Sequence, residues 1–215
     1  MLAAYAAHGA PTIPSISVVG IPIMPSFAAQ AALPAEARRA EAAAALALWD
    51  LPDARPADWA APWPPTSWPP SWPASASDPR PLVVFMSSGN AVREMYASLL
   101  ACHTAIRLVV VTGRQADVRS ELAQVAVPAR HAVKLLGFVR LMPTLLACTD
   151  LLVSKSGGLS VAEAATLGVP MVVLDPIPGQ EQRNADVLLE AGAAVKISDL
   201  PLLGAKVDAV LADHP

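Results

Sequence analysis

The 215-residue sequence has few charged residues, few aromatic residues and little cysteine. Charged residues make up 15% and the net charge is −3, so no basic field argues for nucleic acid as a partner. The two cysteines, Cys102 and Cys148, have no metal-ligand spacing and lie among apolar residues, which predicts reduced core thiols. These features are typical of a cytoplasmic protein rather than a disulfide scaffold.

Long uninterrupted apolar runs are also missing. No stretch reaches the roughly 18 to 20 apolar residues that a membrane-spanning helix needs. The first residues, "MLAAYAAHGAPTIPSISVVGIPIM", lack a basic region, and Pro11 and Pro14 interrupt them, so we do not expect a signal peptide.

Proline and tryptophan are abundant but unevenly placed. Residues 49–81 are rich in proline and contain all five tryptophans. Proline at this density excludes helix and central strand, which predicts a linker of polyproline character. The tryptophans leave two interpretations open, a loose linker or a contact with a membrane surface or partner. Few cations accompany them, so the segment is not a standard amphipathic anchor.

The residues before this segment divide into two patterns. Residues 16–23, "ISVVGIPI", predict a buried strand that Pro22 and Pro25 end. Residues 34–48 are rich in alanine and predict a helix.

From Leu82 onward, apolar strand patterns alternate with helical patterns. The strand patterns are apolar throughout, which is typical of strands covered on both faces. The sequence therefore predicts an α/β domain with a doubly wound parallel sheet. The expected strands are 82–86, 107–111, 132–137, 151–154, 171–175 and 193–197, and the expected helices are 91–103, 116–125, a short helix opened by Pro143, 159–167, 180–190 and 203–212.

The first candidate site is the turn "SKSGGLSVAE", which follows the fourth of these strands. Ligands of such sheets bind beyond the carboxyl ends of the strands. Two glycines allow a sharp turn into a helix whose free amides and dipole suit a phosphate. The alternative is a structural capping box from Ser160 to Glu163. The phosphate contacts would come from Lys155, Ser156, Gly157, Gly158 and Ser160.

The second candidate is the turn "DPIPGQEQRN" after the next strand. Pro176 and Pro178 stiffen it, and Gly179 permits close approach. Gln180 and Glu181 offer the donors and acceptors that sugar hydroxyls require. A carboxylate that only complements the helix dipole is the alternative.

A third, weaker signal is "GFVRLMP". Backbone groups of Phe138 and Val139 could bind the edge of a flat base, and the alternative for Phe138 is a place in the core.

Residues 154–195 resemble the C-terminal half of glycosyltransferase family 28, above all the monogalactosyldiacylglycerol synthases and the bacterial diacylglycerol glucosyltransferases. "VVGIPIMPSF" at 18–27 is similar to the stretch that joins the two domains of that family. The family's motif residues, which by resemblance are expected to bind the donor, are matched by Lys155, Gly157, Gly158, Leu159, Ser160, Glu163, Pro178, Gly179, Gln180, Glu181 and Asn184.

The resemblance implies the C-terminal, Rossmann-like half of a two-domain GT-B fold. Residues 1–28 would be a remnant of the N-terminal domain with the joining strand, 29–80 a linker or insertion, and 81–215 the nucleotide-sugar-binding domain. By resemblance, the Gly157–Ser160 turn faces the pyrophosphate and Glu163 holds the ribose. Gln180 and Glu181 hold the donor sugar, and the residues near Phe138 and Val139 meet the uracil.

The implied function is inverting transfer of a hexose from a UDP-sugar to a lipid such as diacylglycerol, without a cofactor or a protein-bound metal. The general base is expected in the N-terminal domain, so no catalytic residue is assigned. The location implied is the cytoplasm, peripherally at the inner face of the membrane. Two alternatives stay open. One is a UDP-sugar-binding subunit or truncated product that needs an N-terminal partner chain. The other is a UDP-N-acetylglucosamine 2-epimerase, against which "PGQEQRN" favours the transferase.

Overall fold

The computed structural model describes residues 23–34, 36–38, 40, 78–86, 91–174 and 176–213. In these ranges six parallel strands form one sheet in the order β3-β2-β1-β4-β5-β6. The strands are β1 (Leu82–Met86), β2 (Arg107–Val111), β3 (Ala132–Leu136), β4 (Leu151–Ser154), β5 (Met171–Leu174) and β6 (Ala194–Ile197).

Helices connect the strands and cover both faces of the sheet. None of the helices in the described ranges has the length and apolarity to cross a bilayer. In chain order they are α1 (Pro25–Ala31), α2 (Val92–Leu100), α3 (Ala116–Leu122), α4 (Met142–Ala147), α5 (Gly158–Leu167), α6 (Gln180–Glu190) and α7 (Leu203–Asp213), with a 3₁₀ turn at Leu200–Leu202 before α7.

Two apolar clusters lie on opposite faces of the sheet, because successive strand residues point to opposite sides. In β1, Val83 and Phe85 join the cluster that includes residues of α2 and α7. Leu82 and Val84 join the other cluster, with residues of α4, α5 and α6. The predicted doubly wound parallel sheet is thereby confirmed, and the strand and helix boundaries lie close to those expected.

The N-terminal stretch departs from expectation. Pro25 was predicted to end a strand, but it is the first residue of α1, a position that proline favours because its missing amide would have no helical partner there. Phe27 of α1 is fully buried in the second cluster, where α1 packs against α4 and α5. Apart from Ile23, the strand predicted at 16–23 lies outside the described residues, as do most of the 34–48 helix and the 49–77 segment.

Polar side chains form hydrogen bonds with backbone groups near the amino-terminal edge of the sheet. The Arg130 guanidinium donates to the carbonyls of Leu100 and Cys102, at 3.1 and 2.8 Å, at the end of α2. The Asp208 carboxylate of α7 accepts from the amides of His103 and Thr104, at 2.9 Å each. These contacts lie at the end of the sheet opposite to the glycine turns.

Candidate functional site

The strand order places the first glycine turn at a topological switch point. The chain runs outward from β1 through β2 to β3, and then returns to β4 on the other side of β1. In doubly wound sheets the helices leave such a pair of strands in opposite directions, and ligands bind beyond the carboxyl ends of the strands at this point. Residues 155–157 directly follow β4 at this switch point.

Helix α5 begins without a side-chain cap. Its N-cap is Gly157, and the first helical bond runs from the Val161 amide to the Gly157 carbonyl at 3.0 Å. The amides of the first turn therefore have no helical acceptor. Ser160 lies inside the helix rather than at its N-cap, so the capping-box alternative is wrong.

The backbone does not require glycine at position 157. Its φ and ψ are −60° and 143°, which any residue adopts, and a Cβ there would meet nothing within 4 Å. Our expectation that Gly157 serves a sharp turn is therefore wrong. What the glycine provides is open space directly beside the free amides.

Ser156 faces inward, away from this space. Its side chain is fully buried, and its Oγ donates to the Glu181 carbonyl oxygen at 2.7 Å. The predicted hydroxyl contact of Ser156 with a ligand is therefore corrected to an internal contact. Lys155, the residue before it, is half-buried, and Leu159 in the first turn is 59% exposed.

The second glycine turn leads into α6. Gly179 is its N-cap with a φ of 108°, so here the backbone does favour glycine. Pro178 and Gln180 are exposed beside it. The Glu181 carboxylate accepts from the Ile177 amide through Oε2 at 2.9 Å and so braces its own loop.

Asn184, one turn further along α6, reaches back to the first glycine turn. Its Nδ2 donates to the Ser156 carbonyl oxygen at 2.9 Å. Together with the bond from Ser156 to Glu181, this joins the start of α5 to the start of α6. The family resemblance predicts that Asn184 binds the donor, and the sequence gives no sign of this internal contact.

Glu163 lies on α5 next to the first turn. Its side chain is half-buried, and burial raises the pKa of its carboxyl above the ordinary value. Among the described residues no hydrogen bond or ion pair engages it. A partly desolvated acceptor of this kind suits ligand hydroxyl groups.

The β3–α4 connection carries the remaining predicted contacts. Phe138 is 57% exposed, so its alternative placement in the core is wrong. Val139 is partly buried against the second cluster. An exposed aromatic side chain can stack on a flat ring.

Across the described part of the chain, no cluster of three His, Cys, Asp or Glu side chains could hold a metal ion. The candidate site consists of the backbone amides at the start of α5, the Glu163 carboxylate, and the side chains of Gln180 and Glu181 at the start of α6. Sequence reasoning did not predict that the Ile177 amide binds the Glu181 carboxylate. The spacing of four residues between them could have indicated this contact.

The fold places the molecule in the class of doubly wound, Rossmann-like domains with a glycine turn at the switch point. The chain belongs to glycosyltransferase family 28, because residues 87–214 match the model of that family's C-terminal domain.

Relatives with curated names are similar over about half of the chain. A Bacillus mycoides protein named processive diacylglycerol beta-glucosyltransferase is 33% identical over 123 residues, which is 57% of this chain and 31% of the relative. The chain therefore spans well under half the length of that relative.

Solved structures share the fold at lower identity. Acinetobacter baumannii MurG has a TM-score of 0.54 at 23% identity, covering 62% of this chain and 42% of that one. The spinosyn rhamnosyltransferase SpnG with spinosyn aglycone has a TM-score of 0.52 at 20% identity, covering 78% and 47%. These likenesses establish the fold, the Rossmann-like C-terminal half of a GT-B glycosyltransferase.

Proposed function

We propose that this chain supplies the donor-binding half of a hexosyltransferase that moves a sugar from a UDP-sugar to a lipid acceptor such as diacylglycerol. The observation that carries the proposal is the uncapped start of α5, with open space at Gly157, at the switch point of the sheet. A pyrophosphate fits there because it accepts from free amides and is attracted by the positive end of the helix.

Glu163 would bind the ribose. Its carboxylate has no internal partner among the described residues, and two adjacent ribose hydroxyls can donate to its two oxygens. The exposed Phe138 and the backbone at Val139 would meet the uracil. Base, ribose and pyrophosphate would then follow one another along the carboxyl edge of the sheet.

The start of α6 would bind the hexose. Gln180 both donates and accepts, and Glu181 accepts from hydroxyl groups through the carboxylate oxygen that Ile177 leaves free. As an acceptor hydroxyl attacks the anomeric carbon, UDP leaves and charge develops on its β-phosphate. The amides of α5 would stabilise that charge without a protein-bound metal.

The proposal of a lipid acceptor rests on the names of similar proteins and not on contacts of the described residues. The similar proteins are named diacylglycerol glucosyltransferases. We place the acceptor groove and the general base in an N-terminal half, and the enzyme at the inner face of the membrane.

Calorimetry with UDP tests the core of the proposal. We expect a Kd on the order of 10 to 1,000 μM, or roughly −4 to −7 kcal/mol. AMP carries phosphate and ribose but not uracil or pyrophosphate, and it should bind more weakly. Equal affinity for UDP and AMP would contradict the proposal.

A further inference from the structure

The two glycine turns are joined by two hydrogen bonds that run in opposite directions through one residue. The Ser156 hydroxyl donates to the backbone carbonyl of Glu181 in α6. The backbone carbonyl of Ser156 accepts from the side-chain amide of Asn184, also in α6. We call this pair of hydrogen bonds the Ser156–α6 clamp. Among the described residues, no other hydrogen bond is seen between residues 155–160 and 176–184.

The position of the clamp gives it a specific mechanical role. Ser156 directly precedes the N-cap of α5, and Glu181 is the second residue of α6. The clamp therefore sets the separation between the free amides of α5 and the polar side chains at the start of α6. Because Ser156 is fully buried, its hydroxyl acts without touching a ligand.

We propose that Asn184 and Ser156 are positioning residues that couple the phosphate-binding turn to the hexose-binding turn, and so determine how much the sugar adds to UDP affinity. The inference rests on the proposed function for the identity of the ligands. UDP contacts the first turn, whereas the hexose reaches the second, so only a UDP-sugar depends on the distance between them. The proposal corrects the sequence-based assignment of Asn184 as a ligand contact.

The test compares the Kd of UDP with those of UDP-glucose and UDP-galactose for each variant. Asn184→Ala removes one hydrogen bond of the clamp, and Ser156→Ala removes the other. We expect each to lower the preference for the better UDP-sugar over UDP by about 3- to 10-fold while UDP affinity changes little. The double variant should lose little more than either single variant, because the clamp acts as a unit.

Two further variants sharpen the comparison. Asn184→Asp keeps the size of the side chain, but its carboxylate cannot donate to the Ser156 carbonyl and would repel it, so it should lower the preference at least as much as Asn184→Ala does. Gln182→Ala is the matched control, since Gln182 bonds to Asp186 on its own helix at 2.7 Å and leaves the clamp intact. Its preference for UDP-sugar should equal that of the wild type.

A direct sugar contact by Asn184 gives a different pattern. Asn184→Ala would then lose preference while Ser156→Ala would keep it, and this result would overturn the inference. Equal affinity of the wild type for UDP and both UDP-sugars would overturn it as well.

Amide exchange separates this inference from the proposed function, because it needs no ligand. Asn184→Ala should speed exchange of the Val161 amide in the first closed turn of α5, and Gln182→Ala should not. If the wild type fails to bind UDP but this exchange pattern appears, the proposed function fails while the coupling of the turns stands. Unchanged exchange at Val161, in a protein that does bind UDP, would overturn the coupling alone.

Discussion

The imidazole of His131 accepts a hydrogen bond from the Ile106 amide through Nδ1, at 3.3 Å. Its other nitrogen, Nε2, lies 3.2 Å from the Leu100 carbonyl and donates to it. The ring is buried, so it joins the end of α2, the approach to β2 and the start of β3 in its neutral form. Protonation of Nδ1 would remove the acceptor that Ile106 requires.

Stability should therefore depend on the protonation of His131. Burial, and next the charge of Arg130, hold the pKa of His131 below its ordinary value near 6.5, with Arg80 acting in the same direction. The unfolded chain then binds more protons below pH 6.5, so the free energy of unfolding falls as pH drops. We expect a slope of up to about 1.4 kcal/mol per pH unit between pH 6.5 and 5 in urea denaturation.

That slope should weaken in His131→Gln and persist in His103→Gln, whose ring is 96% exposed. An identical slope in the wild type and His131→Gln would mean that another group titrates.

Glu163 provides the sharpest test of the ribose contact. Glu163→Ala should weaken UDP binding by about 1 to 3 kcal/mol, since it leaves two ribose hydroxyls without acceptors. Glu121→Ala, at an exposed position of α3, serves as the control and should bind normally. A lower melting temperature with unchanged affinity per folded molecule would assign Glu163 a purely structural role.

Two glycine substitutions should have opposite consequences. Gly157→Ala should change the free energy of unfolding by less than about 1 kcal/mol, because its angles are ordinary and the space is open. The new methyl group would nevertheless displace the pyrophosphate, so UDP affinity should fall about tenfold or more. Gly179→Ala should instead destabilise the fold by about 1 to 3 kcal/mol, because its φ is 108°. Denaturation and calorimetry on both variants check this, and intact UDP binding by Gly157→Ala would contradict the phosphate assignment.

Gln180 and Glu181 should distinguish the sugar from the nucleotide. Gln180→Ala should spare UDP and weaken UDP-sugar binding. Glu181→Gln should do the same, because the glutamine oxygen can still accept from the Ile177 amide and keep the loop in place. Competition binding with UDP and UDP-sugars measures both, and an equal loss for the two ligands would remove these residues from the sugar site.

Residues 1–215 alone should bind donor but transfer little sugar. Sugar transfer needs an oriented acceptor, worth about 7 to 11 kcal/mol, and a placed base, worth roughly 10² to 10⁴-fold. Of the described histidines, His131 directly precedes β3 and His103 lies four residues before β2, both at the amino edge of the sheet, away from the glycine turns. The assay is radiolabelled UDP-glucose and UDP-galactose with diacylglycerol micelles, with and without a complementary N-terminal half. Robust turnover by this chain alone would contradict the prediction and direct attention to residues 29–80.

Much of the fold was predictable because its signals are local. Apolar strands of four or five residues, separated by helical patterns, define a parallel sheet, and glycine and proline mark the turns after β4 and β5. The direction in which a side chain points is not determined by its neighbours in sequence. The Ser156 side chain points inward, where its hydroxyl donates to the Glu181 carbonyl of α6, and Phe138 is exposed although its side chain is apolar.

Pro25 shows a second limit of sequence reasoning. Proline is common both at the end of a strand and at the first position of a helix, and the residues next to Pro25 in sequence do not distinguish the two. Only the packing of Phe27 against α4 and α5 favours the helix, and those helices lie more than 110 residues further along the chain.

The burial of Phe27 bears on where this domain can be cut. The alternating pattern begins at Leu82, so a fragment starting there would look complete. It would lack the aromatic ring that fills the space over α4 and α5, a loss that costs about 3 to 5 kcal/mol when phenylalanine is truncated in a core. Apolar surface of the two helices would face water and favour aggregation. We therefore expect the unit of folding to extend back to α1, on the far side of the tryptophan-rich segment.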